Sequence, residues 1–369
     1  MRLAACAFAA FLTLVAAREA APAGALPEAT VAAIEAAVEE EMAAKNLPSV
    51  AVGVWIPARG AYVAAKGAAD LDTGAERTVA DPFRIASITK TMIGTVALQL
   101  AEEGALALDA PIATWFPDFP NAERITVDDL LRMRSGIVDS WTPGRLEEWY
   151  EDPIGAFSSD EMIALSAAMG DRFTPPDAET VYVNTNFNML DEIIARVTGQ
   201  ATPDVMAARI FAPLGMAASE MPAATELPGP LRGYGWNAAA GRYEDKTELN
   251  PEVPGGAGSV ISSLADLGVY VRALCTGALL SPQTQAARMR TEPFAGGNGV
   301  ARYGQAVATL GPFCGHNGTI MGFSTEAWHL PAEDAVVVVN VNRLDADDVS
   351  MSGDLFGKLA RAVFPDALR

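Results

Sequence analysis

The positions of the apolar, strand-like runs limit most strongly how this chain can fold. Near the C-terminus, "GTIMGFSTEAWHL" (318–330) and "AVVVVNVN" (335–342) have the composition of buried strands. Near the N-terminus, "VAVGVWI" (51–57) and "GAYVAAKGAAD" (60–70) predict the two strands of a hairpin. We therefore expect the two ends of the chain to share one antiparallel sheet.

Helical patterns complete this arrangement. An amphipathic helix is predicted at 27–46, before the first hairpin, and another at about 350–363, after the last strand. Between the two strand regions the pattern changes to short helices separated by proline-rich loops, at 126–134, 160–169 and 188–197.

The sequence thus predicts an α/β (α+β) fold, in which an antiparallel sheet is flanked by helices and a mostly helical subdomain is inserted. We expect one domain over 24–369, with its α/β part at about 27–100 and 255–369 and its helical part at about 101–254. A cleft is expected where the two parts meet.

The first residues read as a secretory signal. A positive charge at Arg2 precedes an apolar run to about Ala17, and small residues suitable for cleavage follow, so residues 1–23 are predicted to be removed. "LAAC" (3–6) imitates a lipoprotein cleavage box, but the apolar run follows its cysteine rather than preceding it. No later stretch is long and apolar enough to span a bilayer. The protein is therefore expected to be secreted or periplasmic, without stable membrane insertion.

Composition narrows the partners. Half of the 369 residues are hydrophobic, which is enough for a large core, and the formal net charge is −20 with a pI near 4.5. Such a negative field disfavours nucleic acid and anionic lipid as partners. Outside the signal, the cysteines are Cys275 and Cys314, which either form a disulfide or remain as two buried thiols.

A serine and a lysine stand together where an apolar helix begins. In "RIASITKTMIGTVALQL" (84–100), Ser87 and Lys90 are three residues apart, so they share one helix face. A partly buried lysine is pushed towards its neutral form, and a serine beside such a base is an activated nucleophile. The alternative is an ordinary helix core with a lysine that reaches water.

Two further stretches carry candidate site residues. In "VYVNTNFNML" (181–190), Tyr182 and Asn184 are two apart and are expected to point the same way. In "CGHNGTIMGF" (314–323), His316 is expected where a loop enters a strand, beside Gly318. The chain has two histidines, and the second, His329, is interpreted as structural.

The order Ser-x-x-Lys, Tyr-x-Asn and His-x-Gly resembles the serine β-lactamase and penicillin-binding protein family. It is most similar to the branch of secreted DD-carboxypeptidases, class C-like β-lactamases, D-aminopeptidases and related esterases. Flanking stretches support the resemblance over about 30–363, including "ITVDDLLRMRSGI" (125–137), "IFAPLGM" (210–216) and "GGAGSVISSLADL" (255–267).

The resemblance implies a metal-free, cofactor-independent serine hydrolase that works through an acyl-enzyme. Ser87 would be the nucleophile, Lys90 the neighbouring base, and Tyr182 a partner in proton transfer to the leaving group. Asn184 would orient Lys90 and the substrate amide, and His316 would stand in for the lysine of related sites.

The third motif would supply the rest of the site. Asn317, Gly318 and Thr319 are expected to bind substrate, and the backbone N–H groups of Ser87 and Thr319 to form the oxyanion hole. Asn317 departs from the threonine or serine common in the family. In some relatives an arginine before this motif holds a substrate carboxylate; here none follows Tyr303, and Arg302 is the nearest candidate.

The expected substrates are small molecules or peptides: a cell-wall peptide, a β-lactam, an ester or a D-amino-acid amide. The alternatives are a short-chain carboxylesterase or D-amino-acid amidase of the same fold, or a catalytically silent protein that binds peptidoglycan or a partner. Because an unpaired carboxylate is costly to bury, the chain is expected to prefer esters or amides over free acids. The sequence makes no prediction of oligomeric state.

Overall fold

The computed structural model describes residues 24–155, 157–345, 348 and 351–367. The predicted signal, residues 1–23, lies outside the described residues.

The α-helices of the described chain are α1 (Glu28–Lys45), α2 (Ile88–Glu102), α3 (Val127–Leu131), α4 (Pro143–Glu151), α5 (Ser159–Ala167), α6 (Thr185–Thr198), α7 (Thr202–Met206), α8 (Ala212–Leu214), α9 (Leu264–Thr276), α10 (Pro282–Arg288) and α11 (Met351–Val363). The strands are β1 (Ser49–Ile56), β2 (Gly60–Gly67), β3 (Phe83–Arg84), β4 (Tyr234–Asn237), β5 (Arg242–Asp245), β6 (Ile261–Ser262), β7 (Glu292–Pro293), β8 (Ala301–Tyr303), β9 (Ala308–Leu310), β10 (Phe313–Ile320), β11 (Phe323–Leu330) and β12 (Ala335–Val341).

The two ends of the chain form one sheet, as predicted. Its strand order is β2-β1-β12-β11-β10-β9-β8-β7, and all neighbours are antiparallel. β1 pairs with β12 in the register Val50 opposite Val341, so strands from the two ends lie side by side. Both of these strands are almost wholly buried, which explains their near-continuous apolar sequence.

Helices cover both faces of the sheet. On one face α11 packs beside α1, and the Phe313 ring lies 5.2 Å from the Phe356 ring of α11. The next residue of β10, Cys314, points to the opposite face because side chains alternate along a strand. There it forms a disulfide with Cys275 at the end of α9, with the two Cα atoms 6.0 Å apart. Of the two interpretations of these cysteines, the structure has the bridge.

Some predicted boundaries were wrong. The single strand predicted at 318–330 is two strands, because the chain turns at Met321 and Gly322, where Gly322 has φ 74°. The helix predicted at 126–134 ends at Leu131, because Met133 has a left-handed φ of 60°. The helix predicted at 188–197 begins three residues earlier, at Thr185.

The region predicted to be mostly helical also contains the short hairpin of β4 and β5. No helix of the described ranges is long and apolar enough to cross a membrane.

Candidate active site

A strained turn presents Ser87 at the start of α2. Ala86, just before it, has φ 49°, a left-handed conformation that is costly for any residue with a Cβ. Gly318 of β10 packs directly against this turn. A Cβ at Gly318 would lie 2.2 Å from the Ile85 carbonyl oxygen and 3.0 Å from the Ser87 nitrogen. The third motif therefore needs glycine so that β10 can approach the nucleophile.

Ser87 and Lys90 contact each other as predicted. The Lys90 Nζ donates to the Ser87 Oγ at 2.9 Å and to the Ala257 carbonyl oxygen at 2.6 Å. Burial lowers the pKa of Lys90 to about 7, although the negative charge of Asp139 opposes this shift. At neutral pH a substantial fraction of Lys90 is thus the free amine, which can accept a proton.

Tyr182 lies on the other side of Lys90, whose Nζ is 5.0 Å from the centre of its ring. Burial raises the pKa of the Tyr182 phenol well above its usual range, and interaction with Ser87 only partly offsets the shift. The phenol therefore keeps its proton at neutral pH. Its oxygen is buried without a well-formed hydrogen bond to the described residues, so a proton donor is available beside Ser87.

Asn184 has a different partner from the one expected. Its Nδ2 donates to Asp139 at 2.8 Å. Lys90, which Asn184 was expected to orient, donates instead to the Ala257 carbonyl oxygen. The role of Asn184 towards the substrate stays a prediction.

Asp139 and Ala257 contact the motif residues but were not predicted from the sequence. Asp139 also accepts from the Thr185 backbone N–H at 3.2 Å and from its Oγ1 at 3.1 Å, across a long sequence separation. In the sequence, Asp139 is a single aspartate after the stretch 125–137, and nothing in that pattern indicates its contacts with Asn184 and Thr185. Ala257 acts through its backbone carbonyl, which leaves no trace in the residue type.

His316 lies inside β10, not at the junction of a loop and a strand as predicted. Its Nδ1 contacts the Asn317 carbonyl oxygen at 2.5 Å, and its Nε2 is buried without a hydrogen-bond partner among the described residues. Burial lowers the pKa of His316 to about 4, and the nearby charge of Lys90 adds to the effect. The ring is thus neutral at pH 7 and does not provide the positive charge of a lysine.

The other candidates differ in position. Thr319 lines the cleft in front of Ser87, whereas the side chain of Asn317 is exposed and does not line it. Arg302 donates to Thr291 at 2.5 and 3.1 Å and lies outside the cleft. His329 contacts Asp334 at 2.9 Å, in agreement with a structural role.

The cleft in front of Ser87 has a volume of about 730 Å³. Its wall is largely apolar, and most of it comes from the loop after α3, from α4 and from the end of β10. The lining side chains outside the motifs include Asp139, Trp141, Leu146, Glu147, Trp149, Tyr150, Ile320, Met321 and Leu344. Two carboxylates thus face a pocket of aromatic and aliphatic groups. Within the described ranges, no group of three or more His, Cys, Asp or Glu side chains could hold a metal ion.

The chain is similar in sequence to known proteins. The family model described as Beta-lactamase matches residues 34–357. The D-aminopeptidase of Cereibacter sphaeroides is 30% identical over 283 residues, which cover 75% of this chain and 53% of that protein. The D-aminopeptidase of Brucella anthropi is 27% identical over 281 residues, 75% of this chain and 52% of that one. The chain spans about half the length of these curated relatives.

Two solved structures match nearly the whole fold. The D-stereospecific amidohydrolase from Streptomyces sp. superposes with a TM-score of 0.79 at 27% identity, covering 90% of this chain and 98% of that one. The D-amino acid amidase from Ochrobactrum anthropi SV3, complexed with L-phenylalanine amide, has a TM-score of 0.79 at 26% identity, covering 92% and 98%.

Proposed function

Because the chain belongs to the Beta-lactamase family, we propose that it is a serine hydrolase that forms an acyl-enzyme on Ser87. We propose further that its preferred substrates are D-amino-acid amides or esters with a free α-ammonium group and an apolar side chain.

The contacts of Ser87 support this chemistry. The neutral amine of Lys90 takes the Ser87 proton while the Oγ attacks the substrate carbonyl carbon, and a tetrahedral oxyanion forms. Backbone N–H groups of Ser87 and Thr319 would stabilise that oxyanion, and one such donor is worth roughly 3–4 kcal/mol. The proton then passes, with the help of the Tyr182 phenol, to the leaving amine or alkoxide. Water completes the cycle by attacking the acyl-enzyme with the same groups.

The observation that carries the substrate proposal is the pair of carboxylates, Asp139 and Glu147, that line a largely apolar cleft. A carboxylate in such a setting attracts an ammonium and repels a carboxylate. The rings of Trp141, Trp149 and Tyr150 offer apolar surface for a substrate side chain. The configuration and the amide are proposed from the relatives, which are named as D-aminopeptidases and D-amino acid amidases.

Substrates with a free carboxylate fit less well. Arg302 is held by Thr291 outside the cleft, and His316 is neutral at pH 7. A terminal carboxylate would therefore face Asp139 and Glu147, and neither Arg302 nor His316 would supply a compensating positive charge. Poor turnover of a D-Ala-D-Ala peptide follows from this charge arrangement.

A substrate panel tests the proposal. We expect kcat/KM to be highest for D-phenylalanine amide, and N-acetylation of its ammonium to lower kcat/KM by about tenfold or more. Further arms are the L-amide, a short-chain aryl ester, a chromogenic cephalosporin and a D-Ala-D-Ala peptide. A tenfold preference for the cephalosporin or the peptide would contradict the amidase assignment and favour β-lactam or cell-wall chemistry.

Variants connect the result to the cleft. Glu147→Gln is expected to narrow the gap between the free and the N-acetylated amide, because it removes a charge that favours the ammonium. Glu148→Gln is the matched control: it is the neighbouring residue of α4, and its carboxylate pairs with Arg145 instead of lining the cleft.

Ser87→Ala should abolish turnover of every substrate and all labelling by a fluorophosphonate. Wild-type protein that is not labelled would favour a silent binding role.

We also propose that the chain is exported, in keeping with the secretory pattern of residues 1–23. The disulfide between Cys275 and Cys314 supports this proposal, because such bonds form and persist in oxidising compartments.

A further inference from the structure

The second hydrogen bond of Lys90 has a mechanistic consequence. A neutral amine has two N–H groups and one lone pair. When the Ala257 carbonyl accepts one N–H at 2.6 Å, rotation of the amine is restricted, and its lone pair can stay directed at the Ser87 hydroxyl. The position of a backbone carbonyl is therefore part of how the base is aligned.

That carbonyl belongs to a buried 3₁₀ turn, Gly255–Ala257. Gly255 has φ 43°, and the turn is closed by the Ala257 N–H bonded to the Pro254 carbonyl at 2.8 Å. Because the turn is only three residues long, the position of the Ala257 carbonyl depends on the residues that pack against the turn.

Helix α6 holds the turn through two side chains one helical turn apart, Asn188 and Asp191. The Asn188 Nδ2 donates to the Pro254 carbonyl at 3.3 Å. The Asp191 carboxylate interacts with the backbone N–H of Gly256. The packing is close: a Cβ added at Gly256 would lie 2.7 Å from the Asp191 Cβ and 3.2 Å from its Oδ2.

Asp191 is in an environment that is costly for a carboxylate. Burial raises its pKa to about 6, and the charge of Glu192 adds to the rise, whereas the Thr202 hydroxyl and the Gly256 N–H oppose it. The described contacts of Asp191 include no salt bridge. The catalytic steps described above do not use this carboxylate, whose partners are the Thr202 hydroxyl and the Gly256 N–H of the turn.

We propose that Asp191 is a positioning residue for the base: by holding the Gly255–Ala257 turn, it keeps the Ala257 carbonyl on Lys90. This inference rests on the proposed function of the Ser87 and Lys90 pair. Asp191 does not line the cleft in front of Ser87, so its effect on the base would pass through the turn.

The experiment compares Asp191→Ala and Asp191→Asn with wild type. Two quantities are measured: the rate constant of fluorophosphonate labelling, in which the Ser87 oxygen displaces fluoride from phosphorus, and the pH profile of kcat/KM. We expect Asp191→Ala to lower the labelling rate constant by about tenfold to a hundredfold, as a misaligned base does. Asp191→Asn, whose amide oxygen still accepts from Gly256, should stay within about threefold of wild type.

The pH profile separates positioning from mere stability. The Ala257 carbonyl stabilises the protonated form of Lys90, so its displacement lowers the pKa of Lys90 further. The ascending limb of the profile should therefore move to lower pH in Asp191→Ala. Glu192→Gln, which changes the next carboxylate along α6, is the matched control and should behave as wild type.

Asn188→Ala keeps the test decisive if Asp191→Ala does not fold, because it removes a second side-chain contact of α6 with the turn and should move the limb in the same direction. The proposal is overturned if folded Asp191→Ala, even with a lower Tm, is labelled at the wild-type rate with an unchanged limb. It is also overturned if Asn188→Ala leaves the limb in place. Failure of the wild type to be labelled would instead overturn the proposed function itself.

Discussion

At the scale of single residues, burial sets the charge of the side chains around Ser87. It lowers the pKa of Lys90 to about 7 and of His316 to about 4, and it raises the pKa of Tyr182. At neutral pH the site therefore contains a lysine near its midpoint, a neutral imidazole and a neutral phenol. Of these three groups, Lys90 is the one that changes charge near neutral pH.

This arrangement predicts the pH dependence of the reaction. The attack by Ser87 needs Lys90 as a free amine, so kcat/KM should rise with pH and level off above about pH 7. His316 has lost its proton well below that range and should add no second limb near pH 6.5. The measurement is kcat/KM for a neutral ester from about pH 5 to 9, because the charge of such a substrate does not change. A flat profile between about pH 6 and 8 would show that Lys90 is not the base.

At the scale of secondary-structure elements, a buried carboxylate lies between β11 and α11. Glu326 is 5% exposed, and its oxygens accept from the Trp328 Nε1 at 2.5 Å and the Ser352 Oγ at 3.3 Å. Burial raises the pKa of Glu326 from 4.5 to about 7, against the effect of these two donors. Glu326 thus joins α11 to the sheet through Ser352, and its burial favours the protonated carboxyl.

The raised pKa of Glu326 makes the stability of the folded protein depend on pH. From pH 4.5 to about 7 the folded state keeps the Glu326 proton while the unfolded chain has released it. The free energy of unfolding should therefore fall as pH rises through this window, by up to roughly 3 kcal/mol. Glu326→Gln should remove this contribution and be more stable than wild type above about pH 7. Denaturant unfolding at a series of pH values measures the difference, with the exposed Glu333→Gln as control. Parallel curves for wild type and Glu326→Gln would refute the assignment.

The same scale shows what sequence patterns can and cannot predict. Long, strongly patterned segments were predicted well: the helix at 27–46 is α1, and the apolar run 335–342 contains β12. The turn at Gly322 was missed because the residues on both of its sides are equally strand-like. The contact of Ser87 with Lys90 was predictable because helix geometry fixes it locally. The contacts of Asp139 and Ala257 were not, since they depend on how distant loops pack.

At the scale of the whole molecule, the disulfide makes the stability of the fold depend on the redox conditions in which the protein is made. Cys275 at the end of α9 is bonded to Cys314 of β10, the strand that also carries His316 and Thr319. The chain-entropy relation gives a loop of this length about 4 kcal/mol of stabilisation. Protein made in an oxidising compartment should therefore be more stable to unfolding than protein kept in a reducing compartment.

Counting free thiols tests the disulfide and the proposed export together. The sequence contains three cysteines, and Cys6 lies in the predicted signal. Exported, processed protein should show no free thiol under denaturing, non-reducing conditions, because Cys6 is removed and the other two are bonded. Intact mass would place the new N-terminus within about 17–23 residues of the start. One thiol would mean an unprocessed N-terminus, and two or more on exported protein would contradict the bridge.

The pairing of β1 with β12 has a consequence for the order of events during synthesis. β1 and β12 are neighbouring strands that come from opposite ends of the chain, so β1 cannot pair with β12 until that late strand has left the ribosome. Until then the sheet lacks the pairing that joins its N-terminal hairpin, β1 and β2, to its C-terminal strands. We therefore expect the complete sheet, and with it the cleft that the end of β10 lines, to form only after β12 has been synthesised.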